Sequence, residues 1–312
     1  MSSETSLNQV SLKTWQHRTL IANLVAQTGI VLTGAIVRLT ASGLGCPTWP
    51  ECVEGSISPT SEQTESWHKY VEFGNRLLTF VLLIIALLTI VAIKQHNSAR
   101  AASGLAKRRA LMFLAVGSLA GIFAQAILGG ITVLTGLHPL TVAAHFMVSI
   151  GLITLAQILL TKAQEPDDAP VVSLVPRAIA IGMHVHIWLA LSLIAVGTLV
   201  TGSGPHAGDT AEIVRLNFDE RTISTIHADI VFLFVGLTVG LLIALTATNS
   251  SANIIRSAWI VLGICIVQGV IGYTQYFTGL PWALVAVHVL GACLLWIATV
   301  RFYLARNLRG TS

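Results

Sequence analysis

Eight long apolar segments constrain what this chain can fold into more than any other feature of its sequence. Crossing the hydrocarbon core of a bilayer takes about 20 mostly apolar residues as a helix, because lipid offers no partner for unpaired backbone N–H and C=O groups. The segments that meet this requirement are residues 19–40, 71–94, 109–134, 140–162, 177–201, 223–246, 254–277 and 282–305. They predict an all-α polytopic membrane protein with eight transmembrane helices.

Composition excludes the other broad classes of protein. Asp, Glu, Lys and Arg make up 10% of the chain, against about 25% in ordinary soluble domains. A soluble protein of 312 residues could not cover its surface with so few charges. Disorder is excluded as well, because it requires low hydrophobicity, whereas 54% of these residues are hydrophobic.

The basic residues predict the orientation of the chain. Eight spans place both termini on one side, and 13 of the 18 Lys and Arg residues fall on that side. Because cytoplasmic loops carry the excess of basic residues, both termini are expected in the cytoplasm and the protein in the plasma membrane. Residues 1–18 are expected to be a cytosolic tail and not a cleaved signal peptide. The net charge of +4 reflects this inner lining, so no nucleic acid partner is expected.

The longest outer loop, residues 41–70, carries a cysteine pair in the segment GLGCPTWPEC. Cys46 and Cys52 are six residues apart, and two nearby thiols outside the cytoplasm are expected to be oxidised. We therefore predict a Cys46–Cys52 disulfide, with two free thiols as the alternative. Cys265 and Cys293 lie within spans, where they are expected to be small buried hydrophobic residues.

An internal repeat divides the chain. Residues 125–145 read QAILGGITVLTGLHPLTVAAH and residues 268–288 read QGVIGYTQYFTGLPWALVAVH, so that Gln125 matches Gln268 and His145 matches His288 at a constant offset of 143. The repeat predicts two tandem four-helix bundles, residues 1–170 and 171–312, joined by the polar stretch AQEPDDAP. Four spans separate equivalent positions, so both halves have the same orientation in the membrane.

Three histidines share one depth in the predicted spans. His145, His227 and His288 each lie about 8 Å below the outer surface at 1.5 Å per residue. Zinc would usually need four ligands, and no Cys or Glu lies at that level in the second half. A haem needs only axial ligands, which facing helices of a bundle can supply. We therefore predict a haem iron ligated by His227 and His288.

The first half departs from this pattern. His145 repeats His288, but Asn75 stands in the place of His227, and Asn is a poor haem ligand. Glu72 precedes Asn75 by three residues and so lies on the same helix face, one turn nearer the outer surface. A carboxylate there is placed for proton transfer or for stabilising a cation. The alternative is a structural salt bridge from Glu72 to Arg76 or Arg38.

Other polar residues leave two interpretations open. Arginines at the outer ends of spans could bind haem propionates or snorkel to the interface, namely Arg38, Arg76 and Arg221. Gln125 and Gln268 could contact a cofactor or hold helices together. His206 could contact a haem edge or order a glycine-rich turn. We assign no site to the remaining histidines of the helices and cytoplasmic segments, His17, His96, His184 and His186.

Together these motifs resemble the haem A synthase family. The resemblance covers nearly the whole chain and rests on RLTASGLGCPTWPEC, EFGNR, TGLHPLTVAAH, TGSGPHAGD and ALVAVH. It implies an enzyme that oxidises a methyl group of haem O to a formyl group, making haem A for cytochrome oxidase. It further implies haem b on His227 and His288, haem O in the first half, and Glu72 as the glutamate of the catalytic motif. Cys46 and Cys52 match the paired cysteines of one subgroup.

One departure from the family pattern concerns the substrate half. The family usually has Glu-x-x-His-Arg where this chain has Glu72-Phe73-Gly74-Asn75-Arg76, so His145 is expected to be the sole protein ligand of haem O. Asn75, Arg76, Arg38 and Gln125 are expected to line that pocket.

The resemblance also suggests partners and leaves alternatives. Haem O synthase and an electron donor are expected partners, and a homo-oligomer stays open. The alternative functions are a membrane haem carrier or exporter and a b-type cytochrome that reduces quinone. A cytochrome of that kind should carry two complete His pairs, which Asn75 argues against. Haem O synthase itself is disfavoured because no loop has an Asp-rich diphosphate-binding motif.

Overall fold

The computed structural model describes residues 10–165, 171–209 and 214–309, and within these ranges it contains eight long helices. All eight are long and apolar enough to cross a membrane. Their bounds are α1 Thr14–Leu39, α2 His68–Ala102, α3 Arg109–Leu134, α4 Pro139–Gln164, α5 Arg177–Ser203, α6 Glu220–Ala247, α7 Ala252–Phe277 and α8 Trp282–Leu304. The predicted fold class, an all-α protein with eight membrane-spanning helices, is confirmed.

Helix α2 is longer than the apolar segment that predicted it. The prediction ended at position 94, but the helix continues to Ala102. Its last turns are polar and are tied to the following loop, where the main-chain N–H of Arg108 donates to Asn97 at 2.8 Å and Arg100 donates to the Ala106 carbonyl at 3.0 Å. Hydropathy marks where a helix leaves lipid, and it does not mark where the helix ends.

Helices α1 and α6 also begin earlier than their apolar segments. Helix α1 starts at Thr14, where the Lys13 N–H donates to the Gln16 side chain at 2.9 Å. Helix α6 starts at Glu220, where Asp219 accepts the Thr222 N–H at 2.8 Å. Both contacts satisfy backbone donors that have no partner inside the first turn of a helix.

The helices form two four-helix bundles that meet along one seam. Each helix packs against its chain neighbour, α1 also packs against α4, and α5 against α8. Between the bundles, α4 contacts both α5 and α8, and α1 contacts α8. The largest cluster of buried apolar side chains extends across this seam from Ile150 and Ile153 of α4 to Phe302 of α8. At the seam the indole N–H of Trp296 donates to Thr154 Oγ1 at 2.7 Å.

Two short strands were not predicted from the sequence. β1 (Val171–Ser173) and β2 (Asn307–Arg309) pair antiparallel, so the start of the second half is tied to the segment after α8. The boundary between the predicted halves falls within residues 166–170, outside the described residues. The same holds for positions 1–9 of the predicted cytosolic tail.

The turns between α3 and α4 and between α7 and α8 have the same backbone shape. Leu137 and Leu280 both have φ of 58°, and each follows a glycine with positive φ, Gly136 at 61° and Gly279 at 77°. The left-handed region suits glycine because it has no Cβ. The matching Thr-Gly-Leu turns start α4 and α8 in the same way.

Candidate functional site

The histidines singled out in the sequence occupy matching positions in their helices. His145 and His288 are the seventh residues of α4 and α8, and Asn75 and His227 are the eighth residues of α2 and α6. At 1.5 Å per residue all four lie about 9 to 11 Å from the outer ends of their helices. The four positions therefore form one level inside the two bundles.

Each of the four side chains contacts a glycine on the preceding helix. A Cβ added at Gly129 would lie 3.3 Å from His145 Cε1, one at Gly197 would lie 3.2 Å from His227 Cε1, and one at Gly272 would lie 3.5 Å from His288 Cε1. At the fourth position a Cβ on Gly34 would lie 3.9 Å from Asn75 Nδ2. The absence of a Cβ thus gives each polar side chain room beside its neighbouring helix, a role that the sequence did not indicate for Gly34 or Gly197.

The imidazoles of the second half fit a pair of axial ligands. The His227 ring lies close enough to His288 to interact with it electrostatically. Within the described chain, Nδ1 of His145 and of His288 is buried and makes no hydrogen bond to protein, whereas the His227 ring lies within reach of the Leu193 main chain. Buried polar nitrogens normally have partners, so the protein alone does not satisfy the His145 and His288 rings. The described ranges hold no cluster of three or more His, Cys, Asp or Glu side chains placed for a metal ion.

Asn75 has a polar partner that the sequence analysis missed. Thr33 Oγ1 of α1 lies 2.7 Å from Asn75 Oδ1, and the residue after Thr33 is Gly34. At the other end of the amide, Nδ2 makes no hydrogen bond to the residues that the structure describes. Thr33 meets Asn75 only through the packing of α1 on α2, so no sequence motif could indicate the pair.

Glu72 lies one helical turn outside Asn75 and is buried, with 5% of the residue exposed. Its Oε2 accepts the main-chain N–H of Cys46 at 2.7 Å. Its Oε1 accepts from Nη2 of Arg76 at 2.6 Å and from Nε at 3.1 Å. The salt bridge that the sequence left as an alternative is therefore present, and it involves Arg76 and not Arg38.

Arg76 holds the outer loop against α2. Besides the two bonds to Glu72, its Nη1 donates to the carbonyls of Thr48 and Glu51, both at 3.1 Å, and its Nη2 donates to the Cys46 carbonyl at 2.7 Å. A guanidinium has five N–H donors, and these contacts use all five. Arg76 thus has no donor left for a haem propionate unless the loop opens.

The outer loop is fixed over the first bundle by further contacts. Lys69 Nζ donates to the Thr60 carbonyl at 2.7 Å. A Cβ at Gly45 would lie 2.6 Å from the His68 carbonyl oxygen, so the loop approaches the start of α2 more closely than any other residue type would allow. The Trp49 ring packs against Gly130 of α3. The loop therefore covers the outer parts of α2 and α3.

The predicted Cys46–Cys52 disulfide is present in this loop. Both cysteines are fully buried, and Cys46 also provides the main-chain groups that bind Glu72 and Arg76. Cys265 and Cys293 are free and buried, as predicted.

Arg38 lies between the two bundles at the outer side. Its Nη2 donates to the Thr201 carbonyl of α5 at 2.9 Å. Its Nε is buried without a hydrogen-bond partner, and no ion pair joins it to any residue of the described ranges. The structure thus leaves this arginine with donors for an anion, in contrast to Arg76.

The two glutamines hold helices together. Gln125 Nε2 donates to the His145 carbonyl at 3.0 Å and to Ser149 Oγ, joining α3 to the turn of α4 that carries His145. Gln268 occupies the space above Gly291 of α8. In both cases Oε1 is buried and has no partner within the described ranges.

The other histidines have structural contacts. His206 Nε2 lies 2.8 Å from the Leu280 carbonyl and orders the turn before α8. His186 is bonded to Thr238 Oγ1 at 2.8 Å and stacks on Phe234. His184 contacts Arg306 and Tyr303 at the other end of the bundle.

Two four-helix bundles in one chain, each made of helices long and apolar enough to cross a membrane, define a class of multi-pass membrane proteins. Residues 17–300 match the sequence profile of the cytochrome oxidase assembly protein family. The chain belongs to that family.

Several haem A synthases are similar to parts of the chain or to most of it. A haem A synthase of Macrococcus caseolyticus is 27% identical over 306 residues, which cover 93% of this chain and 95% of the relative. Haem A synthases of Lysinibacillus sphaericus and Bacillus licheniformis are 37% and 33% identical over 142 and 144 residues, which cover 45% of this chain in each case. These two alignments span 41% and 42% of the relatives, so there the chain matches less than half of their length.

Proposed function

We propose that this protein is a haem A synthase, which oxidises a methyl group of haem O to a formyl group by successive hydroxylations. The observation that carries the proposal is the single level of His145, His227, His288 and Asn75, with Glu72 one turn above the position that lacks a histidine. Membership of the cytochrome oxidase assembly protein family supports it, because haem A is a cofactor of that oxidase.

In this proposal the second half, residues 171–312, holds haem b between His227 and His288. The two rings lie close enough to interact electrostatically, and Gly197 and Gly272 leave room beside them. These imidazoles would hold haem b, which would supply electron transfer when bound.

The first half, residues 1–170, receives haem O as substrate. His145 would bind its iron, Asn75 would line the pocket, and Gln125 fixes the backbone of His145. Arg38, with a buried donor that has no partner in the described residues, binds a carboxylate of the substrate at the outer side. Arg76 positions Glu72 and the loop above the pocket.

The reaction requires oxidation at one carbon. Each hydroxylation replaces a C–H bond of the methyl group with C–OH. One atom of dioxygen enters the product, and the other leaves as water with two protons and with two electrons from the electron donor. Loss of water from the geminal diol then gives the aldehyde. Glu72 would hold and move a proton at Oε2, which accepts the Cys46 N–H. Its place one turn from the position that lacks a histidine favours chemistry over transport.

The protein is further proposed to lie in the plasma membrane with both termini in the cytoplasm, because 13 of its 18 Lys and Arg residues fall on the terminus side. Haem O synthase and an electron donor are its proposed partners. A reporter fused after residue 312 that is active only in the cytoplasm would test the orientation, and an inactive but folded fusion would contradict it.

The function is tested by producing the full chain together with a source of haem O and separating the extracted haems by chromatography. Haem A is expected only when the chain is present, and cells with the haem O source alone are the control. Recovery of haem B and unchanged haem O from a folded, haem-loaded protein would overturn the proposal.

A further inference from the structure

The corresponding positions of the two halves differ in two side chains, one on each of two packed helices. In the second half Gly197 contacts His227, and the residue before Gly197 is Val196, which has no hydroxyl group. In the first half Gly34 contacts Asn75, and the residue before Gly34 is Thr33, which is hydrogen-bonded to Asn75. The loss of a histidine on α2 is therefore accompanied by a hydroxyl group on α1.

The hydrogen bond fixes which end of the Asn75 amide is available. Thr33 has one hydroxyl proton, and its oxygen lies 2.7 Å from Asn75 Oδ1 but 3.1 Å from the Ile30 carbonyl, so the shorter bond is the one to the amide. With Oδ1 occupied, Nδ2 points toward the space beside Gly34. An amide nitrogen donates hydrogen bonds and has no lone pair for a metal.

We propose that Thr33 and Asn75 together make the second face of the substrate haem a hydrogen-bond donor site for a small exogenous molecule. This inference rests on the proposed function, since it concerns the haem held by His145. Thr33 is then a positioning residue that acts through Asn75. In the proposed function His145 would be the only protein ligand of this iron, and Asn75 would offer its N–H donors on the other side of the haem. Donors in such a pocket are one means by which a protein controls what a haem binds.

Carbon monoxide is the probe, used on the purified full chain loaded with haem O and reduced. Wild type is expected to show one low-spin and one high-spin haem and to bind one carbon monoxide per chain. Asn75→Leu should still bind carbon monoxide but with a higher C–O stretching frequency, because the donor to its oxygen is lost. Thr33→Val should shift the frequency in the same direction by a smaller amount, and Thr33→Ser should restore it. Asn75→His should give a second low-spin haem and abolish carbon monoxide binding.

Val196→Thr is the matched control, because it adds the hydroxyl group at the corresponding place in the other half. It should leave the C–O stretch unchanged. The inference would be overturned if the C–O stretch were unchanged in both Asn75→Leu and Thr33→Val. It would also be overturned if the wild-type protein had two low-spin haems and bound no carbon monoxide. One haem per chain would overturn it together with the proposed function. If the spectra are as expected but the chromatogram shows no haem A, the proposed synthase activity is overturned and the inference about the donor site stands.

Discussion

The carboxylate of Glu72 accepts the main-chain N–H of Cys46 at 2.7 Å, which joins the disulfide loop directly to the buried acid of α2. The bond uses the backbone of Cys46, so it depends on where the loop lies and not on which side chain occupies that position. The Arg76 bond to the Cys46 carbonyl closes the same unit from the other side. Glu72, Arg76 and the loop therefore form one rigid group above the first bundle.

Replacing Glu72 by Gln removes the acid with the smallest change of shape. The amide oxygen can still accept the Cys46 N–H, but the amide NH2 cannot accept from Arg76, and the proton-transfer group is gone. We expect haem b to be retained and haem A formation to fall by about 10²- to 10⁴-fold, the usual contribution of a general acid or base. Chromatography of extracted haems and the low-spin spectrum measure the two effects. A normal yield of haem A would remove Glu72 from catalysis.

Replacing Arg76 by Lys tests the positioning of the loop. Lys keeps the charge but has three donors in place of five, so it cannot satisfy Glu72 and the three loop carbonyls together. We expect faster hydrogen exchange in residues 45–52 and less haem A, with the haem b spectrum unchanged. Lys69→Arg is the control, since Lys69 holds the loop through other carbonyls. Unaltered exchange in the loop of Arg76→Lys would show that Arg76 does not hold it.

Replacing His288 by Ala tests the haem b ligands. We expect loss of the low-spin haem b spectrum, because one of two axial ligands is removed. His184→Ala is the control, since His184 lies in the same bundle but at its opposite end, against Arg306 and Tyr303. A low-spin spectrum that survives in His288→Ala would contradict the ligand assignment.

The spans and the cysteine pair could be predicted from the sequence because each depends on local properties. Apolar length determines whether a helix can cross lipid, and a separation of six positions between Cys46 and Cys52 brings two thiols together in a loop. The placement of His145 and His288 was also visible, since the repeat puts both seven residues into a helix. The ligand roles of these histidines stay predictions.

The contacts around these residues could not be predicted in the same way. Arg76 binds main-chain carbonyls of an irregular loop, and no side-chain pattern encodes such acceptors. Thr33 and Gly34 reach Asn75 only because α1 packs on α2 in one particular register. The polar end of α2 continues as a helix because Asn97 and Arg100 form hydrogen bonds with the main chain of the following loop. Hydropathy does not measure such bonds.

Acidification is expected to weaken the outer start of α6, which carries His227. Hydrogen bonds from the Thr222 hydroxyl and N–H lower the pKa of Asp219 below its usual value. Because this pKa is lowered, the ionised Asp219 carboxylate stabilises the start of α6 at pH values above the usual pKa of Asp. This stabilisation is lost as the pH falls through the lowered value. As the pH falls through the lowered pKa of Asp219, the Thr222 amide should therefore exchange its hydrogen faster than the intrinsic rate at each pH accounts for. Asp219→Ala should show the fast exchange at neutral pH, whereas Asp219→Asn, which still caps a helix, should not.

Replacing Gly197 by Ala tests whether the glycine beside His227 is needed for the haem b site. The new Cβ would lie 3.2 Å from His227 Cε1, closer than an ordinary contact, so the ring must shift. Overpacking of this kind costs about 1–3 kcal/mol. We expect a lower thermal stability of the haem-loaded protein and a shifted low-spin signal in electron paramagnetic resonance. Gly236→Ala is the matched control, because nothing lies within 4 Å of a Cβ at that position of α6. Equal spectra for the two variants would show that the His227 ring is free to move and that Gly197 does not fix its orientation.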